Sequence, residues 1–305
     1  MRVPRAKLKS GIELEYDTFG SAGDPALLLI MGFTAQMVVW EPDFCNLLAA
    51  GGLHVIRFDN RDCGLSTHLD GIESNTQAVI EAAILIQAGE TAAGQIEMPK
   101  VAYTLSSMAA DAIGLLDHLG IERAHVLGAS LGGMIAQTFA IEYPQRALSL
   151  TSVMSLTGEL AYGQATPEAM ETIFEPSPLN RDDYIKSSLR WQIWHSKKYR
   201  SDENSFAAAA RDYDRAFYPQ GGPRQMAAIY ASGSREAGLR QLNLPTLVVH
   251  GRDDTLIAPS GGERTAELIP GAKLMMVDDM GHDLPRPLWP DMVAAVHQLT
   301  NSVSV

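Results

Sequence analysis

The segment Gly128-Ala129-Ser130-Leu131-Gly132-Gly133 constrains this chain more than any other. An apolar run, residues 124–129 (AHVLGA), leads into it, and residues 131–142 follow with a helical pattern. A strand must therefore turn into a helix within about one residue. Such a turn is strained, so its flanks must be small. Gly128 and Gly132 meet that demand, and Gly133 adds room. The bare pattern G-x-S-x-G arises by chance in many chains, but between a strand and a helix it is a nucleophile elbow, which lifts a serine hydroxyl above the end of a sheet. The helix that begins there turns its free N–H groups and positive dipole end toward the serine.

The rest of the chain supplies the sheet. Residues 12–18 alternate apolar and polar, as a half-exposed strand does, and residues 26–31 are continuously apolar, as a buried strand is. Further strands are expected at 53–59, 146–155, 245–250 and 273–277, and helices at 39–50, 105–119 and 287–300, with Gly120 stopping the second helix. Short strands alternating with helices indicate an α/β fold with a mainly parallel sheet. A chain of 305 residues suits either two domains of about 150 residues or one α/β domain carrying an insertion. Residues 68–103 and 156–240 contain helical patches without a comparable strand. They read as excursions that form a helical cap, leaving 1–155 and 241–305 as the core.

A serine hydroxyl needs a base. Of eight histidines, His54, His125 and His250 fall in or at the ends of strands and suit packing; His118 and His297 fall on helices; His68 and His195 fall in the excursions. His282 follows the last strand in a loop after Gly281, beyond the carboxyl end of the sheet, where open α/β sheets bind ligands. An orienting carboxylate is available where His250-Gly251-Arg252-Asp253-Asp254 closes the preceding strand, and Asp253 and Asp254 compete for the role. No carboxylate stands near Met154 and Ser155. Acyl transfer also needs donors for the developing oxyanion. Position assigns these to the backbone N–H groups of Leu131 and of Phe33 in the Met31-Gly32-Phe33-Thr34 turn.

The charged stretch 58–66 (FDNRDCGLS) reads as a scaffold for its own turn and for the neighbouring Phe33 loop, and Cys63 within it lacks a His and acid of its own. Aromatic residues crowd the second excursion. Trp191, Trp194 and Tyr218 are candidates for an apolar substrate pocket, although packing of helices would use the same residue types.

Composition removes other classes. A formal net charge of −12 disfavours nucleic acid and anionic membranes. Two cysteines are too few for a disulfide framework and suit reduced thiols in the cytoplasm. The basic N-terminus is not followed by an apolar stretch, and the longest such run, 26–33, is far short of the roughly 20 residues a membrane helix needs. No metal-binding spacing, dinucleotide fingerprint or phosphate loop appears, so no cofactor or metal is expected. The expected partner is a small-molecule ester, with a homodimer as the default assembly.

The motifs G-A-S-L-G-G, M-G-F, H-G-R-D-D and G-H-D-L-P, in that order, resemble the α/β-hydrolase superfamily. Within it, "GGLHVIRFDNRDCGLST" and "LLLIMGF" are similar to the aclacinomycin methylesterase group of bacterial esterases. The resemblance covers residues 12–155 and 240 to the end. It implies an eight-stranded sheet, a cap made mainly by 156–240 and no cofactor. It also implies a Ser–Asp–His triad carried onto Ser130, Asp254 and His282, with Asp254 chosen over Asp253 by its spacing from Gly251. Carboxylic-ester hydrolysis through an acyl-enzyme is then the expected activity. Lactone, thioester or C–C hydrolysis, or perhydrolysis, would use the same triad, and a non-catalytic ligand-binding member of the fold is a more distant reading.

Overall fold

The computed structural model describes residues 4–89 and 96–303. Its strands are β1 (Arg5–Lys7), β2 (Glu13–Phe19), β3 (Ala26–Ile30), β4 (His54–Phe58), β5 (Ala124–Ala129), β6 (Ala147–Val153), β7 (Thr246–Gly251) and β8 (Lys273–Val277). They form one eight-stranded sheet in the order β1-β2-β4-β3-β5-β6-β7-β8. β1 and β2 run antiparallel to their neighbours, and the other six strands are parallel. Ile30 pairs with both Phe58 and Gly128, so the carboxyl ends of β3, β4 and β5 lie level. The eighth strand of the expected sheet is β1, which has no sequence signal of its own: three residues are too few to show alternation, and it adds to the sheet edge beside β2.

The helices are α1 (Pro42–Ala49), α2 (Thr76–Gln87), α3 (Leu105–Leu119), α4 (Leu131–Glu142), α5 (Pro167–Phe174), α6 (Arg181–Ser187), α7 (Asp202–Ala216), α8 (Gly222–Ala231), α9 (Glu236–Leu239), α10 (Ser260–Leu268) and α11 (Trp289–Thr300). β3 explains why both faces of the sheet need cover. Its side chains alternate between faces. Leu28 and Ile30 join Leu105, Met108 and Phe139 on one side, while Leu27 and Leu29 join Phe44, Trp289 and Met292 on the other. α3 and α4 thus cover one face, and α1 and α11 the other.

The excursions lie over the carboxyl edge of the sheet. Most of 156–240 is helical, but its last part is seated lower than expected. Ala228 of α8 and Leu239 of α9 are fully buried in the same apolar cluster as α3 and α4. Arg235, between them, donates to Gln137 of α4 (3.0 Å). In the first excursion, α2 lies against α8, and Thr76 Oγ1 donates to Pro223 O (2.8 Å). Residues 90–95 of that excursion lie outside the described residues. No described helix is long and apolar enough to cross a membrane.

Candidate active site

β5 ends at Ala129, and Ser130 makes the turn into α4 with φ 56° and ψ −120°. A non-glycine residue at positive φ is strained and persists only where its surroundings fix it. Three glycines give those surroundings their closeness. A Cβ on Gly128 would lie 2.0 Å from Gly132 O, one on Gly132 would lie 2.0 Å from Ile30 O, and one on Gly133 would lie 2.6 Å from Ser155 Cβ. Ser130 N–H donates to Val153 O (2.9 Å), and Ser155 Oγ donates to Ser130 O (2.8 Å).

The loop after β3 passes directly beside the serine. A Cβ on Gly32 would stand 3.0 Å from Ser130 Cβ. Among the described residues, no acceptor takes the N–H of Phe33 or of Leu131, so both remain free to donate. The next N–H, that of Thr34, is taken by Gln225 Oε1 of α8 (2.8 Å). Gln225 is fully buried and also donates to Arg61 O (3.0 Å).

Asp254 and His282 stand just beyond the ends of β7 and β8. Strands lie about 4.8 Å apart, which puts the end of β7 roughly 10 Å from that of β5 along the same edge. Asp254 Oδ2 is 2.7 Å from His282 Nδ1, and the Asp254 side chain is wholly inaccessible to solvent. Its other oxygen accepts from the N–H groups of Leu256 and Ile257 (both 2.9 Å). Burial alone would favour the neutral acid. His282 and His250 outweigh it and hold the Asp254 carboxyl down at about 2. Asp253 is exposed, and only its backbone is engaged, donating to Met280 O (3.0 Å). The imidazole of His282 is thus fixed at Nδ1. Among the described residues, no hydrogen bond joins its ring to Ser130 Oγ.

Residues 193–196 seal this loop from above. His282 N–H donates to Trp194 O (2.6 Å), and Gly281 N–H donates to Ser196 Oγ (2.8 Å). Thr255 Oγ1, beside the acid, donates to Ile193 O (3.0 Å). His195 sits within this contact, and burial pushes it below its ordinary value.

Other candidates fall elsewhere. Trp191 packs edge-on against Tyr184 (5.7 Å between ring centres), which also meets Tyr213 and Phe217, an aromatic group inside the overlying helices. Tyr218 stacks on His68 at 3.6 Å, and its hydroxyl bonds Asp70 and Arg224. Both residues thus make joints between segments of the overlying helices and the first excursion. Of the three aromatic candidates, Trp194 alone has a contact that meets the base loop. The 58–66 stretch is a scaffold: Asp59 accepts from Met37 N–H (2.7 Å) and Leu65 N–H (2.9 Å), and Asn60 donates to Met31 O (2.8 Å). It also anchors the overlying helices, which the sequence did not reveal. Arg224 pairs with Asp62 and Arg215 with Asp59, both at 2.8 Å, and both carboxylates are fully buried. Cys63 and Cys45 are free and buried, and burial pushes both thiols up, Cys45 to about 12.

A groove of about 970 Å³ runs between β1 and α3, past Lys7, Asp111, His118 and Arg146; it includes neither the elbow nor the acid–base pair. Among the described residues, no group of three or more His, Cys, Asp or Glu side chains is gathered as metal ligands would be.

Two buried contacts of this arrangement carry no local sequence signal: His250 lies 3.5 Å from Asp254, and Gln225 takes the Thr34 N–H.

Comparison with known proteins gives the family and the fold. Residues 25–285 match the family described as alpha/beta hydrolase fold. Rhodomycin D methylesterase DauP from Streptomyces sp. (strain C5) is 25% identical over 97% of this chain and 98% of its own length. That likeness runs through both excursions and is not confined to the core. A 2-hydroxymuconate semialdehyde hydrolase from Pseudomonas putida is 28% identical over 59% of this chain and 63% of its own. Among solved structures, the meta-cleavage product hydrolase CumD from Pseudomonas fluorescens IP01 superposes with a TM-score of 0.74 at 20% identity, over 98% of this chain and 97% of that one.

Proposed function

This chain is a hydrolase of the alpha/beta hydrolase fold family, and from that premise we propose that it cleaves carboxylic esters through an acyl-enzyme, with Ser130 as nucleophile, His282 as general base and Asp254 as the acid that orients it. The observation that carries the reading is the pairing of a strained Ser130 with an imidazole held 2.7 Å from a buried carboxylate on the same sheet edge. With Nδ1–H given to Asp254, Nε2 is left as the proton acceptor. His282 takes the proton of Ser130 as Oγ attacks the ester carbonyl. The N–H groups of Leu131 and Phe33 receive the negative oxygen. His282 then protonates the departing alcohol and activates the water that frees the acid. A nucleophile–base hydrogen bond that is open in the resting site commonly closes when substrate arrives.

The likeness to a methylesterase over nearly the whole chain supports ester cleavage in particular. A second reading, hydrolysis of a C–C bond by the same three residues, draws on the semialdehyde hydrolase relative. The expected result for Ser130→Ala is loss of turnover of p-nitrophenyl acetate or butyrate with an unchanged circular dichroism spectrum. Full activity in that variant would overturn the assignment. Turnover of a vinylogous diketone with no turnover of either ester would favour the second reading.

A further inference from the structure

The base loop, Met280 to Leu284, follows β8, but its closest restraints come from elsewhere in the chain. Gly281 leaves no room for a side chain: a Cβ there would lie 2.3 Å from Trp194 O and 2.7 Å from Ser196 N. The backbone leading into the His282 Cα is engaged by residues 194–196. The N–H of His282 goes to Trp194 O, and that of Gly281 goes to Ser196 Oγ. Ser196 is fully buried. Its hydroxyl accepts from Gly281 and donates to Asp283 Oδ1, and its own N–H donates to that same oxygen (3.0 Å). One serine therefore binds the residue before His282 and the residue after it. A hydrogen bond to a carboxylate is the strong kind, and a buried hydroxyl that donates and accepts leaves none of these groups unmet. Thr255 ties the acid's loop to Ile193 in the same way.

We propose that Ser196 and Asp283 are positioning residues for the base: they clamp the His282 loop to the segment over the sheet, so that this segment, and not β8 alone, sets where the imidazole stands. The inference rests on the assignment of His282 as base. Neither residue touches substrate in it. Its physical basis is that a base misplaced by about 1 Å can cost roughly 100-fold in rate, while the other ties of this loop, Asp253 N–H to Met280 O and Trp289 Nε1–H to Leu284 O, hold its two ends and not His282 between them. The imidazole remains bonded to Asp254 at Nδ1, but a hydrogen bond to one ring atom leaves the ring free to pivot about it. The clamp removes that freedom by fixing the backbone that carries the ring.

The test compares Ser196→Ala, Ser196→Thr and Asp283→Asn with the wild-type chain on p-nitrophenyl butyrate. Ser196→Ala and Asp283→Asn should each lower kcat roughly 10- to 100-fold, with KM within about twofold and the melting temperature nearly unchanged. Ser196→Thr keeps the hydroxyl and should restore most of the rate. The downfield proton resonance of His282 Nδ1–H, a signature of its bond to Asp254, should broaden or shift in Ser196→Ala and return in Ser196→Thr. Wild-type kcat in both Ser196→Ala and Asp283→Asn would overturn the inference. So would a loss of rate that only follows a loss of thermal stability, since that is what a merely structural contact would give. Ser130→Ala in the same series separates the two ideas: an active Ser130→Ala overturns the triad itself, whereas an inactive Ser130→Ala beside fully active Ser196→Ala and Asp283→Asn overturns the clamp alone.

Discussion

Ser130 is held by Val153, Ser155 and Gly133, residues of the sheet's own strand ends and of α4. His282 is held by Trp194 and, through Gly281, by Ser196, residues that lie between β6 and β7 and far from it in sequence. The oxyanion loop resembles the second case, because Gln225 of α8 takes the N–H next to Phe33. Ser130 thus belongs to the sheet and the helix beside it, while the His282 and Phe33 loops are held by residues of 156–240. In the proposed function, that segment would couple what enters the site to whether the site is assembled. Variation in that segment would then change rate as well as substrate preference.

The sharpest way to break this contrast lies in Asp254, the proposed acid, which follows β7 in the core yet is bonded to His282. Asp254→Asn should lower kcat by roughly 10⁴, because an amide supports the wrong imidazole tautomer, and steady-state kinetics would show it with KM little changed. Gly132→Ala should act on stability instead. Its Cβ would meet Ile30 O at 2.0 Å, costing about 3 kcal/mol, visible as a lowered denaturant midpoint. A Gly132→Ala protein of wild-type stability would remove the claim that the elbow is rigid. Asp254 also makes stability depend on pH. Its carboxyl is depressed from the ordinary 3.8 to about 2, so its contribution is complete above the ordinary value and is lost as pH falls through about 2. The loss is on the order of 2 kcal/mol and should be absent from Asp254→Asn when unfolding is followed from pH 6 to pH 2. Gln225→Leu should cost roughly tenfold in kcat through the freed Thr34 N–H, with KM steady; an unchanged rate would detach the oxyanion loop from α8. Asp253→Asn should change nothing beyond about twofold, since that side chain is exposed.

The same contrast explains what could be read in advance. The elbow is local: strand, small residues, serine and helix stand consecutively, and each glycine is required by a neighbour at most a few residues away or on an adjacent strand. β3 and β5 were equally plain, being buried on both faces and therefore continuously apolar. β1 is three residues of an edge, and α10 (SGGERTAEL) buries mostly small or polar residues, Gly261, Gly262 and Thr265 with Leu268, so few apolar residues mark it. The base loop's partners stand 85 or more residues away in Ser196, and no periodicity carries such a contact. Tyr218 and Trp191 show the converse. Their residue type suits a pocket and a joint alike, and the His68 stack and the Tyr184 cluster are contacts that residue type alone does not pair.

The most direct measurement is labelling of the purified chain with a fluorophosphonate probe, followed by peptide mapping. A single adduct on Ser130 is expected, absent from Ser130→Ala and slowed at least about 100-fold in His282→Ala. An adduct on any other residue, or labelling of Ser130 that proceeds unchanged without His282, would contradict the triad.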